Sequence, residues 1–176
     1  MTGKSFQDPY RAVIEQLNRL GIRYVVVGMM GINYYAKNPA EAFATMDYDV
    51  FLEPAFKNVE KAVKSLQALG FQLGTQDGSL KAADFSRIIR LQKTIVATTS
   101  EGLMVELLLK VSGFPFSEMA KDAVTFSVEG VPIRVGRLEK LLRSKHLAGR
   151  EKDRSFLKRY RLLLKEPSKK RNQSKK

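Results

Sequence analysis

Residues 45–52 run Thr45-Met46-Asp47-Tyr48-Asp49-Val50-Phe51-Leu52, and the fold turns on how this stretch is read. Tyr48, Val50 and Leu52 alternate with Asp47 and Asp49, which is the two-residue period of a strand with one apolar face toward a core. The two aspartates then leave the opposite face together, roughly 6 to 7 Å apart along the chain. Like charges held that close require a cation, unless the strand is an exposed edge carrying two ordinary surface aspartates. On the N-terminal side, Tyr24 to Val27 reads as a short buried strand running into Gly28, with a helix over residues 29–35 opening straight after it. Before that strand, Asp8 and Pro9 start an amphipathic helix whose stripe is Tyr10, Val13, Ile14, Leu17 and Leu20, ending at Gly21. On the C-terminal side, after Pro54, a helix turns Phe56, Val59, Val63, Leu66 and Leu69 inward until Gly70 stops it.

Further along, Phe85 to Leu91, Thr94 to Thr98 and Leu103 to Leu109 read as neighbouring strands. The last contains one charged residue, Glu106, in an otherwise apolar run. A buried unpaired carboxylate costs several kcal/mol, so Glu106 needs a cation, a metal or a water-filled cleft. Arg87, Arg90 or Lys110 could supply a salt bridge. If its strand instead lies beside that of Asp47, three carboxylates converge, and oxygen-only ligation suits Mg²⁺ held with a substrate's phosphates. Val124 to Val128 and Val131 to Val135 form a hairpin through Glu129-Gly130, with Pro132 marking the second arm as an edge.

Composition narrows the chemistry. The 176 residues contain no Cys and one His, His146, which excludes a disulfide scaffold and thiolate or His-rich zinc sites. No apolar run reaches the roughly 18 to 20 residues of a membrane span, and the first residues lack the apolar stretch of a signal peptide, so a cytoplasmic protein is expected. The net charge is +13, unevenly placed: residues 137–176 hold 16 Lys/Arg against 4 Asp/Glu, while residues 1–136 hold 15 against 14. A near-neutral body of residues 1–136 thus joins a basic quarter whose natural neighbour is a polyanion.

That quarter divides into a helical pair over 137–165 and a polar tail over 166–176, expected to be disordered. In the helix from Leu138, Leu141 and Leu142 continue the apolar face and Lys145 comes next on it, seven residues after Leu138. In the following helix Asp153 shares a face with Phe156, Leu157, Tyr160 and Leu164. Lys145 and Asp153 either pair with each other or serve a phosphate ligand, and both can hold. Arg150 and Lys152 are candidate phosphate or RNA contacts, or solvated cations at a helix end. His146 falls off the stripe and reads as a surface residue. Lys169, Lys170 and Arg171 read as a nucleic-acid-binding arm or a solubilising end.

Taken in order, Val25-Val26-Val27-Gly28, Thr45-Met46-Asp47-Tyr48-Asp49-Val50 and Gly102-Leu103-Met104-Val105-Glu106-Leu107-Leu108 resemble the nucleotidyltransferase superfamily of the DNA polymerase β type. The segment Gly130 to Val135, followed by Leu138 to Asp153, is similar to the minimal and abortive-infection toxin group within it. The resemblance implies an α+β fold: a nucleotidyltransferase-like mixed β-sheet flanked by helices, with the C-terminal helical pair and basic tail appended. It implies that Asp47 and Asp49 hold two Mg²⁺ ions and Glu106 completes the second site. It also makes Gly28, Met29, Thr45, Lys145 and Arg150 contacts of an NTP, and Lys145 and Asp153 part of the catalytic set. Met29 departs from the family, which has Gly or Ser there so that a helix N-terminus can approach the triphosphate. The interval to Asp47 is also longer than is typical.

The implied activity is transfer of a nucleoside monophosphate to an acceptor hydroxyl. RNA such as tRNA is favoured, through Arg150, Lys152 and the tail, and an antitoxin protein is an implied partner. A protein acceptor stays open, while a polycationic drug fits poorly against a basic rim. The competing reading is a non-catalytic RNA- or partner-binding module on a degenerate form of the same fold.

Overall fold

The computed structural model describes residues 8–165, with side chains as far as Leu162. Asp8 accepts a hydrogen bond from the Tyr10 amide at 2.9 Å and opens helix α1, Arg11–Arg19, which buries Val13, Ile14 and Leu17. β1, Tyr24–Val27, is wholly buried and leads directly into α2, Gly28–Asn33. A short 3₁₀ turn at Pro39–Glu41, capped by the Asn38 side chain, precedes β2, Asp47–Leu52. α3, Phe56–Ala68, follows and buries Val59, Ala62, Val63 and Leu66. Leu20, Phe56 and Leu69, expected inside, are instead exposed at helix ends.

The middle of the chain differs from expectation. Gln72–Thr75 and Gly78–Ser79 form a small hairpin, β3 and β4, in a stretch to which the sequence reading assigns no element. Residues expected as a strand over Phe85 to Leu91 form helix α4, Phe85–Arg90, because Phe85 and Ile88 reach the core at helical spacing, three residues apart. β5, Ile95–Thr98, and β6, Met104–Leu108, pair antiparallel as expected. An unanticipated helix α5, Phe116–Lys121, precedes the hairpin of β7, Val124–Val128, and β8, Val131–Val135. The pair α6, Leu138–Ala148, and α7, Glu151–Lys165, closes the described chain, with Gly149 at φ +62° letting α6 end in a left-handed cap.

All eight strands form one sheet in the order β4-β3-β5-β6-β2-β1-β8-β7. β2/β6 and β1/β8 are parallel and the other neighbours antiparallel, so this is a mixed sheet flanked by helices, an α+β fold. Pro132 does not lie on an edge strand: β7 is the edge, and β8 sits between it and β1. The proline is tolerated because β8 meets β1 only at Val135, opposite Val26, which leaves position 132 off that ladder. On the sheet face that carries Asp49, Phe51 meets Phe116 of α5 at 5.4 Å between ring centroids. On the other face Tyr10 stacks on the fully buried Tyr48 at 4.6 Å. The Tyr48 hydroxyl shares a 2.7 Å hydrogen bond with that of Tyr34. No helix among the described residues is long and apolar enough to cross a membrane.

Candidate active site

Register brings the acidic residues together. β2 and β6 pair so that Asp49 lies directly opposite Glu106 and Asp47 opposite Met104, and since β2 alternates, Asp47 shares the face of Asp49. On the other side of β2, Val27 stands opposite Asp49, so the chain leaves β1 at Gly28 beside that carboxylate. Gly28 has φ +68°, and a Cβ built there would collide with Asp49 Oδ2 and lie 2.9 Å from its Cγ. Both the backbone conformation and the space therefore demand glycine.

Asp49 Oδ1 is buried without a hydrogen-bond partner, and none of the described ion pairs involves Asp47, Asp49 or Glu106. The salt bridges from Glu106 to Arg87, Arg90 or Lys110 are thus not formed among the described residues. Burial first, then the charges of Glu106 and Asp47, push the Asp49 carboxyl up to about 7, with Lys145 pulling the other way. Asp47, Asp49 and Glu106 are thus three neighbouring carboxylates without an ion-pair partner among the described residues.

A cleft of about 630 Å³ opens over these residues. Gly28, Met29 and Thr45 form one part of its wall, with Asp47, Asp49 and Glu106 alongside and Lys145, Arg150, Lys152 and Asp153 from the C-terminal helices. The Thr45 hydroxyl accepts a hydrogen bond from the Asp47 amide at 3.3 Å and steadies the start of β2. Lys145 and Asp153 do pair, at 3.4 Å, and Arg150 Nε donates to the other Asp153 oxygen at 2.7 Å. Asp153 is only 1% exposed; burial pushes its carboxyl up, but the Arg150 hydrogen bond and the Lys145 charge outweigh this and hold it below the usual range. Lys145 also lies 5.2 Å above the Phe156 ring. His146 is exposed and does not line the cleft. Lys169, Lys170 and Arg171 lie outside the described residues.

Lys110, Thr94, Ser112 and Ser144 also line the cleft and were not singled out as ligands from the sequence. For Lys110 a signal was present: Glu106, Leu108 and Lys110 share parity, and all three line the same cavity. Among the described residues, no group of three or more acidic, imidazole or thiol side chains is gathered so that it could hold a metal ion. The donor set nevertheless suits a hard divalent cation in its chemistry, being carboxylate oxygen throughout with one buried oxygen unpartnered.

Residues 6–175 match a family described as "Nucleotidyl transferase of unknown function (DUF2204)", and the chain belongs to that family. Two solved structures share the fold. A lincosamide antibiotic adenylyltransferase, LnuA, in its lincomycin-bound crystal structure, is 11% identical with a TM-score of 0.55, covering 85% of this chain and 92% of its own. An antigenic nucleotidyltransferase-like protein from Paracoccidioides brasiliensis is 17% identical with a TM-score of 0.54, covering 91% and 76% respectively. No curated protein matches the chain.

Proposed function

We propose that the cleft transfers a nucleoside monophosphate from an NTP to an acceptor hydroxyl in a Mg²⁺-dependent reaction, with RNA, tRNA included, as the acceptor class. The observation that carries this reading is the pairing of Asp49 with Glu106 across parallel strands, Asp49 holding a buried unpartnered oxygen in a cleft that also contains Lys145. Asp47 and Asp49 would hold two ions, with Glu106 completing the second site. Bound there, Mg²⁺ supplies charge neutralisation for the triphosphate and a lowered pKa for the acceptor hydroxyl.

The chain's own residues supply position. Gly28 lets backbone approach the Asp49 carboxylate, and with Met29 and Thr45 it lines the nucleotide's side of the cleft. Lys145 and Arg150, oriented by the buried Asp153, present cations to the phosphates as the acceptor oxygen bonds to the α-phosphorus and the bond to pyrophosphate breaks. Arg150 and Lys152 at the rim, with the basic tail, favour a polyanionic acceptor. A cytoplasmic location and an antitoxin partner belong to the same toxin-like reading.

The test is incubation of the protein with total RNA, Mg²⁺ and each α-labelled NTP in turn, beside an Asp47→Ala/Asp49→Ala control. Label on RNA that disappears in the control is the expected result. A lincosamide serves as a second acceptor, because LnuA, a protein of the same fold, is a lincosamide antibiotic adenylyltransferase. A second reading, a binding module without catalysis, is favoured by Met29, which lines the cleft where the resembled polymerase β type superfamily usually has Gly or Ser. Salt-sensitive RNA binding with no incorporation on any acceptor, unchanged by Asp47→Ala, would establish that alternative.

A further inference from the structure

Helix α7 has two differently built faces. Asp153 and Phe156 are buried and Tyr160 is half-buried, with Phe156 4.7 Å and Tyr160 6.3 Å from the Phe43 ring. A second face carries Arg154, Leu157, Lys158, Arg161 and Leu162, spaced i, i+3, i+4, i+7 and i+8, the stripe a helix normally turns toward a partner. With His146 of α6 these five residues line a groove of about 460 Å³ whose walls are predominantly apolar. Leu162 is 59% exposed and Leu147, beside His146, 48% exposed. No described ion pair uses Arg154, Lys158 or Arg161.

We infer that this groove docks an acidic amphipathic helix of a partner polypeptide. Two leucines and three cations that make no described ion pair line the same groove, which fits a helix with aliphatic anchors flanked by Asp or Glu. Nucleic acid is the poorer fit, because the two leucines offer a base neither stacking nor hydrogen bonds and no Phe, Tyr or Trp is among the lining residues. The chain's own segment 166–176 is also a poor occupant: it carries five Lys/Arg against one Glu and is repelled by the same rim. The inference is independent of nucleotide transfer, since the groove shares no lining residue with the carboxylate cleft.

A labelled synthetic peptide of about 18 residues, with leucines at i, i+3, i+4 and i+7 and glutamates beside them, tests the inference by fluorescence anisotropy against the full chain. A control peptide has serine for each leucine, and an oligouridine is titrated in parallel. Binding in the tens of micromolar is expected, weakened at least about tenfold by Leu162→Ser, by Arg154→Glu/Lys158→Glu and by the serine peptide. All three substituted positions are exposed, and circular dichroism confirms that the variants fold. Equal binding of the serine peptide, equal binding by the groove variants, or no binding at about 0.5 mM overturns the inference. Oligouridine binding that falls tenfold in Leu162→Ser while peptide binding does not would assign the groove to nucleic acid and overturn it as well.

Discussion

Burial and the facing charges of Glu106 and Asp47 raise the Asp49 carboxyl from 3.8 to about 7, so the folded protein keeps it partly protonated near neutrality. A group raised on folding contributes stability below its unfolded value and loses it as pH climbs through the folded one. Metal-free protein should therefore lose stability from this residue between about pH 4 and pH 8, whereas Asp49→Asn, neutral throughout, should not. Thermal unfolding of the two proteins is expected to diverge across that window, Asp49→Asn becoming more stable by roughly 1–3 kcal/mol at the alkaline end. Mg²⁺ should close the gap by stabilising only the unsubstituted protein, and a gap independent of pH would contradict the account. The alternation in residues 47–52 and the lone charge in residues 103–109 made Asp47, Asp49 and Glu106 legible in the sequence. The collision that fixes Gly28 was not, because it depends on how closely β1 lies against β2.

At the scale of elements, α6 and α7 are joined through one buried carboxylate serving two cations, Lys145 and Arg150. Asp153→Asn should cost roughly 2–4 kcal/mol, since it removes the buried carboxylate that Lys145 and Arg150 share. Lys145→Met in the same chain should recover part of that loss. A double-mutant cycle by urea unfolding measures the coupling, and strict additivity would show that the pair is not an energetic unit. Helical spacing displayed this arrangement in the sequence, because Lys145 and Asp153 both continue apolar stripes. The same logic, not applied to residues 85–90, accounts for α4 being read as a strand. Its paired isoleucines favour a strand locally, but Phe85 and Ile88 meet the core only from a helix. The β3–β4 hairpin was illegible because its strands of four and two residues carry too little apolar alternation to register. The place of Pro132 follows from sheet order, which local pattern does not encode.

Across the whole molecule, charge is segregated: residues 137–176 provide most of the excess of +13. Truncation after Lys165 removes five cations, so the slope of log affinity for single-stranded RNA against log salt should flatten by about three. Filter binding between low and moderate salt reads this directly, and an unchanged slope would remove the tail from the RNA contact. The order β6-β2-β1 at the centre of the sheet also has a temporal meaning. The cleft draws Gly28 from the first strand–helix junction, Asp49 and Glu106 from strands far apart in the chain, and Lys145 and Asp153 from the last two helices. A chain emerging from the ribosome consequently lacks the full lining of this cleft until its last two helices are made. The complete lining is assembled only once synthesis has passed Asp153, so a product that stops short of it lacks the partner of Lys145 and part of the cleft wall.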